Sequence, residues 1–373
     1  MEQRPTLAEI NLGNLRENFI KLKTYVGDSL IMPILKADAY GHDLIKCAKE
    51  LEKLNPWGFG LAFLEEAVTL RKAGIKSPIL TLGGISGRQI KYFLEHDIDL
   101  CASSISKLES IDSEASKAGK VARVHIKIDT GMERIGVHHY SCKPLLEKVL
   151  ELENIELVSI FSHFADAENE DQSFTKTQLK RFLDATKNFK NRQGNCPLLH
   201  IANTPGILAS KDNHLDMVRL GMSLFGVSSR DETKHQDSLN LKPVLRLTSE
   251  VCYFKVVKPG ATVSYGRTWE AKEQTRVVTI PLGYGDGYPR GLSNKARVLI
   301  RGKSYPIVGR VCMDQFMVNI GPEGEAYNSD EVVLLGRQGE EEITVRELAH
   351  LADTDERDLL LRIALRIPKK FVS

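Results

Sequence analysis

Between residues 30 and 221 the chain sets short apolar runs, at 30–35, 57–61, 78–82, 98–102, 121–128, 155–161, 198–201 and 216–220, against longer stretches of a different period. The stretches at 43–54, 64–73, 87–95, 104–118, 143–152 and 172–189 repeat apolar residues every three or four positions, as an amphipathic helix does. Continuous apolar runs this short read as strands buried on both faces, and parallel pairing of such strands needs a crossover helix each time. The rhythm therefore predicts repeated βα units. A count of eight favours a closed (β/α)8 TIM barrel over an open sheet.

Past residue 226 the helical period is lost and the segment 228–241 is polar and charged. We place the boundary there, with a barrel expected over 1–228 and a mostly β domain over 229–373. Its strands are expected in the β-branched runs 243–257, 276–282, 296–300, 304–311, 316–320 and 331–335. One helix is expected at 344–352, opened by a capping box at Thr344-Val345-Arg346-Glu347. A chain of 373 residues at 42% hydrophobic is more than one core usually serves, which agrees with two units.

Charge and cysteine usage narrow the function. With 51 Lys and Arg against 49 Asp and Glu, no basic excess is available to neutralise a nucleic-acid backbone, so nucleic acid is not an expected partner. Every apolar run is interrupted well before the roughly 20 residues of a membrane span. The amino terminus carries Glu2, Arg4 and Glu9 in place of the apolar core of a secretion signal, so a soluble, cytoplasmic protein is expected, with no membrane partner. Cys47, Cys101, Cys142, Cys196, Cys252 and Cys312 show no short spacings and read as thiols, not as disulfides or zinc ligands; no metal is expected.

A barrel enzyme carries its reactive groups at the carboxyl ends of its strands. Here the first run ends in Lys36-Ala37-Asp38-Ala39-Tyr40-Gly41-His42 and the fifth in Lys127-Ile128-Asp129-Thr130-Gly131-Met132-Glu133-Arg134. The sixth ends in Ser162-His163, the seventh in His200-Ile201-Ala202-Asn203-Thr204 and the eighth in Arg219-Leu220-Gly221. A lone lysine is usually a solvated surface residue. Lys36 follows directly on an apolar strand, where desolvation lowers an amine's pKa enough for it to condense with an aldehyde. The hydroxyl of Tyr40 and the glycine backbone beside it suit a phosphate-bearing cofactor.

The string from Lys36 to His42 resembles the pyridoxal-phosphate attachment motif of alanine racemases, a fold-type III family. The blocks 129–136, Val263-Ser264-Tyr265-Gly266, Gly283-Tyr284-Gly285-Asp286-Gly287-Tyr288-Pro289-Arg290 and Val308-Gly309-Arg310-Val311-Cys312-Met313-Asp314-Gln315 resemble further family blocks in the same order. The similarity runs nearly end to end. It implies pyridoxal 5'-phosphate as cofactor, alanine as substrate, and a head-to-tail homodimer in which each active site borrows groups from its partner. It also implies that the product D-alanine feeds peptidoglycan of the cell wall.

Carried over position by position, the resemblance implies Lys36 and Tyr265 as the two acid/base groups, one on each face of the substrate α-carbon. His163 would tune the tyrosine across the subunit interface, Arg219 would face the pyridine nitrogen, and His200 would orient that arginine. Tyr40, Asn203, Thr204, Gly221 and Met222 would hold the cofactor, chiefly at its phosphate. Arg134 and the backbone near Met313 would take the substrate carboxylate, with Cys312 and Asp314 supporting. Lys127 matches a lysine that is carbamylated in several relatives. Tyr284 and Arg290 would crowd the substrate's approach, with Glu168 near an acidic position of the same approach.

Three positions depart from the family pattern. Asp43 stands where glycine is usual, Glu133 sits in a variable position, and Arg357 stands where a phosphate-contacting tyrosine is expected once Leu365-Arg366-Ile367-Pro368 is aligned with the closing motif; Thr204 stands where serine is usual and keeps the hydroxyl. Two outcomes are open at Arg357: it binds the phosphate itself as a charge-assisted donor, or the site is looser and less discriminating there. Alternative readings are a racemase of broader or different substrate, an amino-acid decarboxylase and a non-catalytic cofactor carrier. The decarboxylase is opposed by Arg219 where a carboxylate would be expected, and the carrier by a second acid/base group in the β domain.

Overall fold

The computed structural model describes residues 4–189, 196–227, 239–363 and 366–373. Eight parallel strands, Leu30–Pro33, Phe59–Leu61, Ile79–Thr81, Leu100–Ala102, Ala122–Asp129, Ile155–Phe161, Leu198–His200 and Met217–Leu220, fall within the runs named above apart from Asp129, the last residue of the fifth. The eighth pairs in parallel with the first, Arg219 opposite Met32. Between the shorter ladders isolated backbone bonds, two at each junction, complete the circuit. The Leu35 N–H donates to Gly60 O at 3.0 Å, Asp99 N–H to Ile79 O at 2.8 Å, and Asp216 N–H to Leu199 O at 3.1 Å. The result is a TIM barrel. Its strands read as unbroken apolar runs because the helices cover one face while the barrel interior buries the other.

The helices Leu44–Glu52, Leu64–Lys72, Ile90–Glu95, Ile105–Ala118, Lys143–Lys148 and Ser173–Thr186 stand where the period of three to four placed them. Asp43 and Ser104 cap the first and fourth of these, accepting from the Lys46 and Lys107 N–H groups. Among the described residues, helices also lie outside the stretches named above, the short Thr204–Ala209 after the seventh strand and two more. Leu12–Val26 buries Leu15, Phe19, Leu22 and Val26 along one stripe. Glu356–Ile363 has only two turns, in a region read as β, and it brings Arg357 to the mouth of the barrel.

The second unit is built on one ten-stranded sheet. Its path runs Tyr253–Val257, Thr275–Ile280, Phe316–Gly321, Lys303–Val308, Arg297–Ile300, Glu331–Gln338, Leu245–Glu250, Leu7–Asn11 and Lys369–Val372, with Glu341–Ile343 pairing Glu331–Gln338. Alternation is clean in Phe316–Gly321, where Phe316, Val318 and Ile320 are buried and the residues between them are half-buried. The run read at 243–257 is two strands, broken at Val251 and Cys252. Leu7–Asn11 falls within the span expected for the barrel but pairs antiparallel with Leu245–Glu250 and parallel with Lys369–Val372. A segment ahead of the barrel rhythm had no local sign of which unit it would join. Most of the polar boundary segment, 228–238, and Leu365 of the closing motif lie outside the described residues. Thr344 caps the helix Val345–Ala352 through the Glu347 N–H at 3.1 Å. Among the described residues no helix is long and apolar enough to cross a membrane.

Candidate active site

Lys36 opens a turn of the wrong hand. Ala37, Asp38, Ala39 and Tyr40 have φ of 53, 54, 53 and 53°, a left-handed helical turn that costs L-residues roughly 1–2 kcal/mol each. Three side chains hold it. Glu66 Oε1 accepts from the Ala37 N–H at 2.6 Å, while its Oε2 takes Ala62 N–H at 2.9 Å. Asp38 accepts from the Leu44 N–H at 2.8 Å and pairs with Lys369 of the β domain at 2.6 Å. His42 lies stacked on Phe225, ring centroids 4.3 Å apart, with Nδ1 3.0 Å from both the Ala39 and the Tyr40 carbonyls. Asp43, at the position where glycine is usual, has φ of 77° and offsets that strain by capping the next helix.

The turn aims Lys36 and Tyr40 into a cavity of about 520 Å³ at the carboxyl ends of the strands. Its wall includes Lys127, Arg134, His163, Glu168, Asn203, Thr204, Arg219, Gly221, Met222 and Arg357. Burial lowers the Lys36 amine below the ordinary lysine range, and the nearby Arg134 and Arg357 cations lower it further. The Glu66 carboxylate, held on backbone N–H groups, opposes that lowering only in part.

Arg219 is buried among neutral acceptors. Its Nη1 donates to His200 Nδ1 at 2.9 Å. Its Nη2 faces Ser162 O at 2.8 Å, Ile201 O at 2.9 Å and His163 Nδ1 at 2.9 Å. Among the described residues no carboxylate is within ion-pair distance of it. Burial, then the Arg134 charge, pushes its pKa down to about 9, which leaves it a cation at neutral pH. Because an arginine only donates, both His163 and His200 present a bare Nδ1 to it. Burial first and Arg219 second hold both imidazoles well below their ordinary range, so they are neutral and carry their proton on Nε2.

A cradle for a tetrahedral anion lies at the end of the eighth strand. A Cβ on Gly221 would stand 3.0 Å from the Tyr40 hydroxyl and 3.6 Å from Thr204 Oγ1, so only glycine leaves that space open. The Gly221 N–H is donated to Thr204 Oγ1 at 2.9 Å. Met222 opens the turn Met222–Phe225, whose first N–H groups lack partners within it. Asn203 acts locally, accepting from the Gly206 N–H to cap the helix Thr204–Ala209. Arg357 reaches the cavity wall, but its Nε and Nη2 are both held by Asp355 at 2.8 Å, so only part of its guanidinium faces the cavity.

Lys127 and Arg134 complete the wall. Burial pushes the Lys127 amine down to about 8, and its Nζ sits 4.8 Å over the Phe161 ring. The unfolded chain binds this proton up to pH 10.5 while the folded chain releases it near pH 8, so stability rises with pH across that window. The full effect is about 3 kcal/mol at 1.4 kcal/mol per unit. Urea titrations of cofactor-free protein in buffer purged of carbon dioxide are expected to show this rise. Lys127→Met should flatten most of it, and an unchanged slope in that variant would refute the assignment.

The remaining expected residues gather elsewhere. Tyr265 (70% exposed), Met313 (54%) and Tyr284 (43%) lie on the surface of the β domain. Ser264 Oγ is 3.4 Å from Cys312 Sγ, the Tyr284 N–H donates to Cys312 O at 3.0 Å, and Asp314 pairs with Arg366 at 2.8 Å. This is one connected cluster, and none of it lines the cavity of the same chain. Arg290 belongs with Tyr284 to a neighbouring concavity. Residues that the sequence reading missed are Glu66, Asp355, Lys369 and a buried set of Asp99, His125 and Ser159. The one usable signal was strand alternation, which puts residues 125 and 127 on the same inward face.

Comparison with known proteins follows the same division into two units. Residues 10–229 match the family model described as "Alanine racemase, N-terminal domain", and residues 244–371 match "Alanine racemase, C-terminal domain". The chain is 39% identical over 370 residues to the alanine racemase of Carboxydothermus hydrogenoformans, covering 99% of this chain and 100% of that one. It is 38% identical over 370 residues to the alanine racemase of Halothermothrix orenii, covering 99% and 97%. The solved structure of alanine racemase from Clostridium difficile 630 superposes with a TM-score of 0.91 at 34% identity, covering 100% of this chain and 97% of that one.

Proposed function

The chain belongs to the alanine racemase family, and from that premise we propose which of its residues carry the reaction and where the second half of the site comes from. The enzyme interconverts L-alanine and D-alanine and uses pyridoxal 5'-phosphate. The residues of the cavity fit that cofactor: a desolvated amine at Lys36, an anion cradle between Tyr40, Thr204 and the missing Cβ of Gly221, and a donor-only group at Arg219. Bound there, the cofactor supplies an electron sink for the charge left when the α-carbon loses its proton.

The observation that carries the reading is the surroundings of Arg219. An arginine held by neutral acceptors, with no carboxylate beside it among the described residues, would donate a hydrogen bond to the ring nitrogen without handing over its proton. The sink is kept weak. Charge then stays at the α-carbon, which favours return of a proton there and disfavours transamination and decarboxylation.

Lys36 Nζ moves the proton on one face. The other face needs a second group, since one base normally removes and returns a proton on the same side. Tyr265 is that group, and its exposure in the single chain supports a homodimer in which the partner's cluster closes over the cavity. With Nδ1 committed to Arg219, His163 has its Nε2–H to donate to the incoming phenolic oxygen, stabilising the phenolate that acts as base. Arg134, free of carboxylates among the described residues, takes the substrate carboxylate with the backbone at Met313. Tyr284 and Arg290 narrow the approach to alanine-sized side chains. Arg357 contributes the part of its fork that Asp355 leaves open. We place the enzyme in the cytoplasm, its D-alanine supplying peptidoglycan.

The test is solvent deuterium incorporation at the α-carbon with chiral analysis, run separately on L-alanine, L-serine and L-lysine. Deuterated D-alanine is expected well ahead of the other products. Exchange or carbon dioxide release from another amino acid, without exchange of alanine, would overturn the reading.

A further inference from the structure

The bond from Arg219 to His200 is the last link of a buried chain that crosses five consecutive barrel strands. Asp99 stands just ahead of the fourth strand, His125 on the fifth, Ser159 on the sixth, His200 on the seventh and Arg219 on the eighth. Asp99 Oδ2 is 3.1 Å from His125 Nε2, His125 Nδ1 is 2.6 Å from Ser159 Oγ, and Ser159 Oγ is 2.9 Å from His200 Nε2. His200 Nδ1 completes the run at 2.9 Å from Arg219. All five residues are at most 2% exposed. At the far end Asp99 also holds Arg123, at 3.0 and 3.4 Å, and that arginine reaches the protein surface.

The direction of every proton in this chain is determined by its ends. Arg219 can only donate and the Asp99 carboxylate can only accept. His200 therefore has a bare Nδ1 and donates from Nε2 to Ser159. The single hydroxyl proton of Ser159 goes on to His125 Nδ1, and His125 Nε2–H ends on Asp99. Every donor then has one acceptor. Reversing any link leaves a buried group without a partner, at roughly 1–3 kcal/mol.

We propose that Asp99 is a positioning residue for the racemase reaction, acting through His125, Ser159 and His200 to hold Arg219 in place and to fix the polarity it meets. The proposal rests on the assignment of Arg219 to the ring nitrogen. The chain's own geometry is independent of that assignment, and the test separates the two.

The experiment is nitrogen-15 NMR of histidine-labelled protein, with and without bound cofactor, for wild type, Asp99→Asn and Ser159→Ala. In wild type, His125 and His200 are expected to be neutral with the proton on Nε2 in both samples. In Asp99→Asn the amide oxygen turns to Arg123 and the amide N–H₂ faces His125, so His125 is expected to shift toward the Nδ1–H tautomer. Ser159→Ala cuts the chain while leaving the Asp99 and Arg123 pair intact, and guards against misfolding of the first variant. Both variants are expected to lower kcat about ten-fold or more with KM nearly unchanged, the scale of lost outer-shell support. An imidazolium or an Nδ1–H tautomer at His125 in wild type would overturn the proposal, as would wild-type kcat in both variants. If alanine shows no exchange but the tautomers are as stated, it is the functional reading that fails and not the chain.

Discussion

Lys36→Ala is expected to abolish both racemisation and the visible absorbance of bound cofactor, with turnover falling by at least about 10⁴-fold. In this assignment Lys36 both attaches the cofactor and works on one face of the α-carbon, so its loss removes attachment and proton transfer together. The fold should survive. Lys36 is half-buried, its side chain has no ion-pair partner among the described residues, and the strain of the left-handed turn is held by Glu66, Asp38 and His42. Circular dichroism identical to wild type, with no cofactor absorbance, is the expected pair of readings. Alanine racemisation in this variant with cofactor covalently attached elsewhere would remove Lys36 from its role.

Tyr265→Ala is expected to separate the two faces. Cofactor absorbance stays, racemisation falls by about 10²–10⁴-fold, and α-proton exchange with solvent persists from one enantiomer, the one whose proton faces Lys36. At 70% exposure in the single chain, Tyr265 carries little of the fold, so the loss should not come from unfolding. The two variants together test the shared site. Each heterodimer of Lys36→Ala with Tyr265→Ala has one intact site and one lacking both groups. After full subunit exchange at equal amounts, roughly a quarter of wild-type activity should return. No recovery after exchange is shown by mass spectrometry would mean that Tyr265 acts on Lys36 of its own chain, or not at all.

Much of the site was legible because barrel chemistry is local in sequence. Lys36, Lys127, His163, His200 and Arg219 each follow or end an apolar run, and a strand end is read from the run itself. At Gly221 the N–H goes to Thr204, and the missing Cβ leaves open space against Tyr40 and Thr204. Arg357 left open both a phosphate donor and a looser site, and Asp355, two residues away, holds half of its fork. Both arrangements come from competition between neighbours, which residue type alone does not report.

By itself the sequence determined the repeating βα order, the change to β texture beyond residue 226, and the set of reactive groups at the strand ends, because periodicity and strand punctuation are properties of a few adjacent residues. Tertiary structure decided what those groups are bonded to. Asp38 meets Lys369 across 331 positions, and the chain from Asp99 to Arg219 is assembled from one residue on or beside each of five strands. The strand Leu7–Asn11 joins the β sheet because its partners, Leu245–Glu250 and Lys369–Val372, lie in the second half of the chain, and the Lys36 and Tyr265 clusters form separate surfaces of the single chain. Such contacts arise from barrel closure and domain packing, where spatial proximity has no counterpart in sequence spacing.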